Sequence, residues 1–141
     1  MILVDANLLV YASVKDMPHH AKALDWLSQS LSSHSQVGIP WASSLAYVRI
    51  VTNPRIFPKP LAFSVAWAQV KSWLAQPNVW VPLPTERHQA VLEEMLGAIS
   101  SCNHVADADL AALAIQYGLE LVTADRGFAR FPGLRFRNPL E

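Results

Sequence analysis

Three aspartates stand where strands and helices are predicted to begin or end, and they are the residues best suited to chemistry. Asp5 follows the apolar segment Ile2 to Val4. Asp125 follows a second apolar run, Leu119 to Thr123, and Asp107 opens the predicted helix before that run. In open α/β sheets, sites lie beyond the carboxyl ends of strands where the strand order reverses. We therefore expect these three carboxylates to meet.

Grouped carboxylates without fixed positive partners repel one another and raise one another's pKa. A hard divalent cation with oxygen ligands, Mg²⁺ or Mn²⁺, relieves that repulsion. The aspartates therefore predict a metal site, and our central hypothesis is that this site hydrolyses a phosphodiester.

The helix that carries Asp107 has the features of one packed against a sheet. Leu110, Ala111 and Ala114 share the face of Asp107, and small alanines allow close approach to a sheet. Gly118 is placed to end the helix in a left-handed conformation. The apolar run that follows is typical of a buried parallel strand.

Length and composition indicate a single domain over residues 1–141, with 52% hydrophobic residues. No apolar run approaches the roughly 20 residues of a membrane span, and no basic leader precedes the first strand, so we expect a cytoplasmic protein without membrane contact. Cys102 is the only cysteine, which excludes an internal disulfide or a cysteine-based zinc site. The net charge of zero argues against a general nucleic-acid coating protein.

Four arginines crowd the last sixteen residues, beside Asp125: Arg126, Arg130, Arg135 and Arg137. They suit a basic rim that presents a polyanion to a metal. A solvated C-terminal tail explains them equally well, and the sequence leaves both interpretations open.

Strands alternate with helices along the chain. The first predicted strand is followed by a loop up to Met17. Helices are predicted over Pro18 to about Ser32, from Ser43 or Ser44 to Asn53, over Leu61 to Ala75, and from Thr85 onward. Further strands are predicted over Val37 to Trp41 and Val79 to Leu83, and a last short strand over Leu134 to Phe136. Trp67 and Trp73 are expected in the core, with a dimer interface as the less favoured alternative. This order favours an α/β fold, a three-layer α/β/α sandwich with a short, mainly parallel sheet.

Three stretches match a known family in order and spacing: MILVDAN, VADADLAALAIQYG and LVTADRGF. LAYVRIVTNPRIF and FPGLRFRNPL are similar to one of its subgroups. The sequence resembles a PIN domain, and most closely a VapC-like toxin ribonuclease of a toxin–antitoxin pair. The resemblance implies a Mg²⁺-dependent endoribonuclease (Mn²⁺ is also possible) whose catalytic and metal-binding residues are Asp5, Asp107 and Asp125. It also implies RNA as substrate, a small antitoxin as partner, and a homodimer.

Four further residues are candidates for supporting roles. Asn7 and Thr123 are suited to holding carboxylates or water. Arg49 is suited to a phosphate contact, and equally to a structural salt bridge or to packing on Tyr47. Asp109 is an extra carboxylate that a regular helix turns about 200° away from Asp107. It reaches the site only if the helix starts near it.

Two positions lack acids that many family members carry, Ala46 in the helix after the second strand and Gly127 two positions after the last aspartate. A catalytically weak or inactive module that binds RNA or protein is therefore the alternative. A phosphatase of the haloacid-dehalogenase type is less favoured, because its second acid would stand at Asn7. No glycine-rich phosphate loop is present.

Overall fold

Five short strands and six helices alternate in the computed structural model, which describes all 141 residues. The strands are β1 (Ile2–Val4), β2 (Val37–Gly38), β3 (Val79–Trp80), β4 (Glu120–Val122) and β5 (Phe136–Arg137). The helices are α1 (Ala6–Ser13), α2 (His20–Leu31), α3 (Trp41–Val51), α4 (Phe63–Leu74), α5 (His88–Leu96) and α6 (Val105–Tyr117). Single 3₁₀ segments span Cys102–His104 and Arg126–Arg130.

All neighbouring strands of the single sheet are parallel, in the order β3-β2-β1-β4-β5. The chain starts at the central strand, fills one side with β2 and β3, and then crosses to the other side for β4 and β5. The strand order therefore reverses between β1 and β4, and a crevice is expected at the carboxyl ends of these two strands.

The two central strands are buried on both faces, as their uninterrupted apolar sequence predicts. Leu3 and Leu121 pack on the side of α5 and α6. Val4 and Val122 pack on the opposite side, against a core formed with α1 to α4. Each fully buried aliphatic side chain contributes about 1.5–3 kcal/mol to folding. The predicted three-layer α/β/α sandwich with a parallel sheet is confirmed.

Small residues let α6 lie close to the sheet. Ala108, Ala111, Ala112 and Ala114 are all fully buried. The helix ends at Gly118, which adopts a φ of 63°, as the sequence predicts for a glycine C-cap. Its first residue is Val105, so Asp107 lies in the first turn.

Several boundaries differ from the sequence predictions, including those of α1 and α3. The segment before Met17, predicted as a loop, forms α1, because the Asp5 carboxylate caps its first amide and Leu8 and Leu9 bury completely. Helix α3 begins at Trp41, with Pro40 at the N-cap and no side-chain cap, rather than at Ser43 or Ser44.

The two tryptophans of α4 have different environments. Trp73 is buried and packs edge to face on Tyr47, with ring centroids 4.8 Å apart. Trp67 is 42% exposed and stacks on Trp41 at the surface, so its predicted core position is wrong. No helix has the combination of length and apolar character that crossing a membrane requires.

Candidate active site

A cleft of about 260 Å³ opens at the carboxyl ends of β1 and β4, and all three predicted aspartates line it. The first turns of α1, α3 and α6 form its walls, and Ala6, Ala42 and Ala106 represent the three helices. Helix N-termini carry partial positive charge and favour anions. The cleft therefore combines fixed negative side chains with backbone ends that tolerate negative charge.

Asp5 is held rigidly at the centre of the cleft. Its Oδ1 accepts a hydrogen bond from the Ala6 backbone amide at 2.7 Å, and its Oδ2 accepts one from Thr123 Oγ1 at 2.7 Å. Its own amide donates to the Val122 carbonyl at 3.0 Å. The carboxylate is thus fixed by the first residue of α1 and by the residue that follows β4.

The hydroxyl group of Thr123 connects several polar residues of the site by hydrogen bonds. Only 1% of the residue is exposed. Its hydroxyl donates to Asp5 and accepts from Asn7 Nδ2 at 3.2 Å and from the Asp125 amide at 3.0 Å. Asn7 Oδ1 also accepts from the Ala124 amide at 3.3 Å. Thr123 thus holds the Asp5 carboxylate directly, Asn7 acts on it only through the Thr123 hydroxyl, and that hydroxyl has no unused lone pair.

Asp125 extends into solvent at the start of the second 3₁₀ segment. Its Oδ1 accepts from the Gly127 amide at 2.7 Å. A Cβ atom at Gly127 would lie 2.9 Å from this oxygen and 3.2 Å from Arg130 Nη2. The guanidinium of Arg130 therefore covers the position where many family members place another acid.

Asp107 approaches the cleft from the first turn of α6. It is half-buried, and its carboxylate makes no hydrogen bond within the chain. The Asp107 side chain is therefore free to bind a ligand, unlike the fully engaged carboxylate of Asp5.

Burial and mutual repulsion disfavour negative charge on two of the acids. Burial is the main cause that raises the pKa of Asp5; the hydrogen bonds from Thr123 and Ala6 oppose it, and the charges of Asp107 and Asp125 add to it. Burial also raises the pKa of Asp107, followed by the charge of Asp125, while His104 and Arg130 lower it.

No arginine or lysine neutralises the three aspartates by a direct ion pair. The arginine ion pairs of the structure join other residues. No group of three or more His, Cys, Asp or Glu side chains is gathered closely enough to hold a metal ion on its own. The aspartates thus share one cleft and its negative potential without forming a closed set of ligands.

Helix α3 supplies the wall opposite α6. Ala46 and Arg49 both line the cleft, and Arg49 is exposed and forms no ion pair. Ser43 also lines it and donates from Oγ to the Val4 carbonyl at 2.6 Å. Ser43 was expected only as a possible helix cap. It lies in the first turn of α3, the helix that follows β2.

Asp109 lies outside the cleft, contrary to its predicted supporting role. Its Oδ1 is 2.7 Å from His88 Nε2 on α5. Because α6 already begins at Val105, the regular helical rotation turns Asp109 away from Asp107.

The C-terminal arginines do not form one continuous rim. Arg126 pairs with Glu141, Arg137 pairs with Glu120, and Arg135 donates to the Gly118 carbonyl. Among the four, Arg130 is the one whose charge acts on Asp107. The basic-rim prediction therefore reduces to Arg49, which lines the cleft, and to Arg130, whose charge acts on Asp107.

Two curated proteins are similar to this chain in sequence over almost their whole length. Ribonuclease VapC37 of Mycobacterium tuberculosis is 41% identical over 140 residues, which cover 99% of this chain and 97% of the relative. Ribonuclease VapC33 of the same species is 34% identical over 142 residues, or 100% of this chain and 99% of the relative.

Two solved structures have the same fold at low sequence identity. VapBC2 from Rickettsia felis bound to a promoter DNA fragment matches with a TM-score of 0.67 and 18% identity, covering 98% of both chains. FitAcB from Neisseria gonorrhoeae matches with a TM-score of 0.68 and 20% identity, covering 99% of this chain and 98% of the other. The PIN domain profile matches residues 2–134. The chain belongs to the PIN domain family, and its relatives at 34–41% identity within that family are VapC ribonucleases.

Proposed function

We propose that the protein is a metal-dependent endoribonuclease and the toxin of a VapBC-like toxin–antitoxin pair. Asp5, Asp107 and Asp125 are its catalytic and metal-binding residues, with Mg²⁺ as the ion and Mn²⁺ as a substitute. Its substrate is RNA, whose phosphodiester bonds are hydrolysed in the cleft between β1 and β4.

The observation that carries this proposal is the uncompensated acidity of the cleft. Two of the aspartates have raised pKa values, and each is raised partly by the charge of another aspartate of the trio. Repulsion between these carboxylates lowers the stability of the folded chain, because no cation is paired with them. A divalent ion bound between them would remove this repulsion.

The donor set fits Mg²⁺. This ion keeps several waters and takes one or two carboxylates from the protein, so it does not require three acids in mutual contact. We assign Asp5 and Asp125 as direct ligands. Asp107, which has no partner in the chain, binds directly or through a water.

A bound Mg²⁺ supplies an activated water and a Lewis acid for the phosphate oxygens. The protein side chains do the remaining work. Thr123 and Asn7 fix the orientation of Asp5, and Asp107 orients the attacking water. Arg49, which lines the cleft, and Arg130, whose charge acts on Asp107, contact phosphate groups of the RNA, for which guanidinium groups are well suited.

The proposed partners follow from the relatives. The relatives at 34–41% identity are VapC ribonucleases, and one solved structure with the same fold is VapBC2 bound to a DNA fragment of its promoter. We propose that a small antitoxin binds this chain and that the chain forms a homodimer. Large apolar residues that remain exposed on α3 and α4, including Leu45, Phe63 and Trp67, are available for such contacts.

A non-catalytic PIN module that binds RNA or protein is the second candidate. It is favoured by Ala46 and Gly127, which leave the cleft with fewer acids than many family members have. The haloacid-dehalogenase alternative has less support, because Asn7 is engaged with Thr123 and Ala124.

Metal removal separates the two leading candidates. We expect the purified chain to cut single-stranded RNA with Mg²⁺ or Mn²⁺, to stop in excess EDTA, and to recover when the ion is restored. Gel analysis of a labelled RNA measures this directly. Binding of the RNA without any metal-dependent cutting would favour the non-catalytic module.

Gly127→Ala is expected to lower the cleavage rate about 10- to 100-fold, because a catalytic group displaced by about 1 Å costs this much. The new methyl group would stand 2.9 Å from Asp125 Oδ1 and force that carboxylate to move. Ala129→Ser in the same 3₁₀ segment is exposed and serves as the matched control. Equal cleavage rates for Gly127→Ala and wild type would show that Asp125 takes no part in the reaction.

A further inference from the structure

A second pocket adjoins the acidic cleft on the far side of the α3 N-terminus. This base pocket, as we call it, has a volume of about 160 Å³, and Trp41, Leu83, His88 and Asp109 line it. Ala42 lines both the base pocket and the cleft. A polymer strand in the cleft therefore passes the mouth of the base pocket.

Hydrogen bonds fix the state of His88 inside the base pocket. Gln116 Oε1 accepts from the Thr85 amide at 3.0 Å and from Thr85 Oγ1 at 2.7 Å, so the amide nitrogen of Gln116 faces His88 Nδ1. His88 Nδ1 must then accept a hydrogen bond, and the ring proton lies on Nε2. His88 Nε2 donates to Asp109 Oδ1 at 2.7 Å.

His88 thereby holds Asp109 as a pure hydrogen-bond acceptor. The Asp109 side chain is 47% exposed, and its Oδ2 has no partner within the chain. Among the four RNA bases, only guanine presents two adjacent donors, N1–H and the N2 amino group. A carboxylate matches that edge with its two oxygens, whereas adenine and cytosine place an acceptor beside their amino group.

The pocket walls suit the faces of a flat ring. Trp41 is 43% exposed although it stacks on Trp67, and Leu83 is 55% exposed. Stacking on aromatic side chains is a main source of affinity for single-stranded RNA, and it places no demand on base identity. Trp41 therefore supplies affinity and Asp109 supplies selectivity.

We propose that the base pocket binds a guanine base of the RNA substrate, with Asp109 reading its Watson–Crick edge beside Trp41. This inference rests on the proposed ribonuclease function and adds a base preference to it. It also gives a role to Asp109, which the cleft does not use.

The direct test is an NMR titration of the full chain with guanosine, inosine and adenosine 5′-monophosphates. We expect guanosine monophosphate to bind about tenfold or more tightly than adenosine monophosphate, with inosine monophosphate between them because it lacks the N2 amino group. Signals of Trp41 and His88 should shift. Equal affinity for all three nucleotides, or shifts confined to other regions, would overturn the proposal.

The variant Asp109→Asn is expected to reverse the nucleotide preference of the base pocket. Asparagine still accepts from His88 but presents one acceptor and one donor, which match the amino group and N1 of adenine. We expect the variant to prefer adenosine monophosphate, while Asp16→Asn, an exposed control, keeps the wild-type order. An unchanged preference for guanosine monophosphate in a folded Asp109→Asn protein would contradict the assignment.

Trp41 provides an independent variant at an exposed position. Trp41→Ala should lower the affinity for all three nucleotides by about tenfold. Trp41→Phe should restore part of this affinity, because phenylalanine keeps an aromatic face for stacking. Unaltered affinity in Trp41→Ala would exclude this pocket.

Cleavage of a random-sequence RNA pool separates failure of this inference from failure of the proposed function. Metal-dependent cutting with no guanine preference near the cut would overturn the base pocket alone. A nucleotide preference without any cutting would support the pocket and overturn the nuclease.

Discussion

Asp5→Asn is expected to abolish RNA cleavage, with a loss of about a thousandfold or more. Losing a metal ligand removes several kcal/mol of charge stabilisation from the transition state, and each 1.36 kcal/mol is about a factor of ten in rate. Single-turnover cleavage of a labelled RNA in saturating Mg²⁺ measures the loss.

Asp5→Asn should also destabilise the protein. Thr123 Oγ1 already accepts from Asn7 and from the Asp125 amide. An asparagine amide at position 5 that faces this oxygen would bring a third donor, and an unsatisfied buried group costs about 1–3 kcal/mol. Urea unfolding in EDTA measures this cost without the metal.

The control for Asp5→Asn is Asp25→Asn, on the exposed surface of α2. It should cleave at the wild-type rate. Wild-type cleavage by Asp5→Asn would show that the reaction occurs elsewhere.

Asp107→Asn is expected to lose cleavage to a similar extent, about a thousandfold, because the attacking water loses its orienting carboxylate. Its effect on stability should be opposite to that of Asp5→Asn. Asp107 makes no hydrogen bond within the chain, and burial and the charge of Asp125 raise its pKa. In metal-free buffer the variant should therefore be as stable as wild type or more stable.

The difference in stability between Asp107→Asn and wild type should change with pH. Because the pKa of Asp107 is higher in the folded chain than in the unfolded chain, the folded state binds more protons between these two values. Wild-type stability therefore falls as the pH rises through this window, and the variant lacks this loss. The advantage of Asp107→Asn should be largest above the raised pKa and absent below the ordinary carboxyl value.

Thermal unfolding of both proteins in EDTA across the acidic range measures this difference. A clear fall in melting temperature for Asp107→Asn at neutral pH would show that Asp107 stabilises the first turn of α6 instead. In that case the benefit of an anion at a helix N-terminus, about 0.3–1 kcal/mol, would outweigh the repulsion.

The sequence was sufficient to predict the convergence of the three aspartates in one cleft. Two short apolar strands, each followed by an aspartate, implied neighbouring parallel strands, and parallel strands bring their carboxyl ends to one edge of a sheet. The same reasoning selected Asn7 and Thr123, since they lie within two residues of Asp5 and Asp125. The roles of all five residues in catalysis stay predictions.

Other features depend on contacts that one sequence does not display. Helix α1 was missed because its start is capped by Asp5, which was interpreted only as a functional residue. The position of the Asp109 side chain depends on its hydrogen bond to His88 of α5, a residue 21 positions earlier in the chain. The Arg130 guanidinium lies beside Gly127, where a Cβ atom would stand 3.2 Å from its Nη2. Each case involves a tertiary partner that local periodicity cannot specify.

The most direct test of the account is a crystal structure of the protein grown with Mn²⁺, with the ion located by its anomalous scattering. We predict one Mn²⁺ per chain between Asp5, Asp107 and Asp125, with at least one carboxylate bound directly and water completing its coordination. An ion bound elsewhere, or aspartates paired with Arg49 or Arg130 while the cleft holds no ion at saturating Mn²⁺, would contradict it.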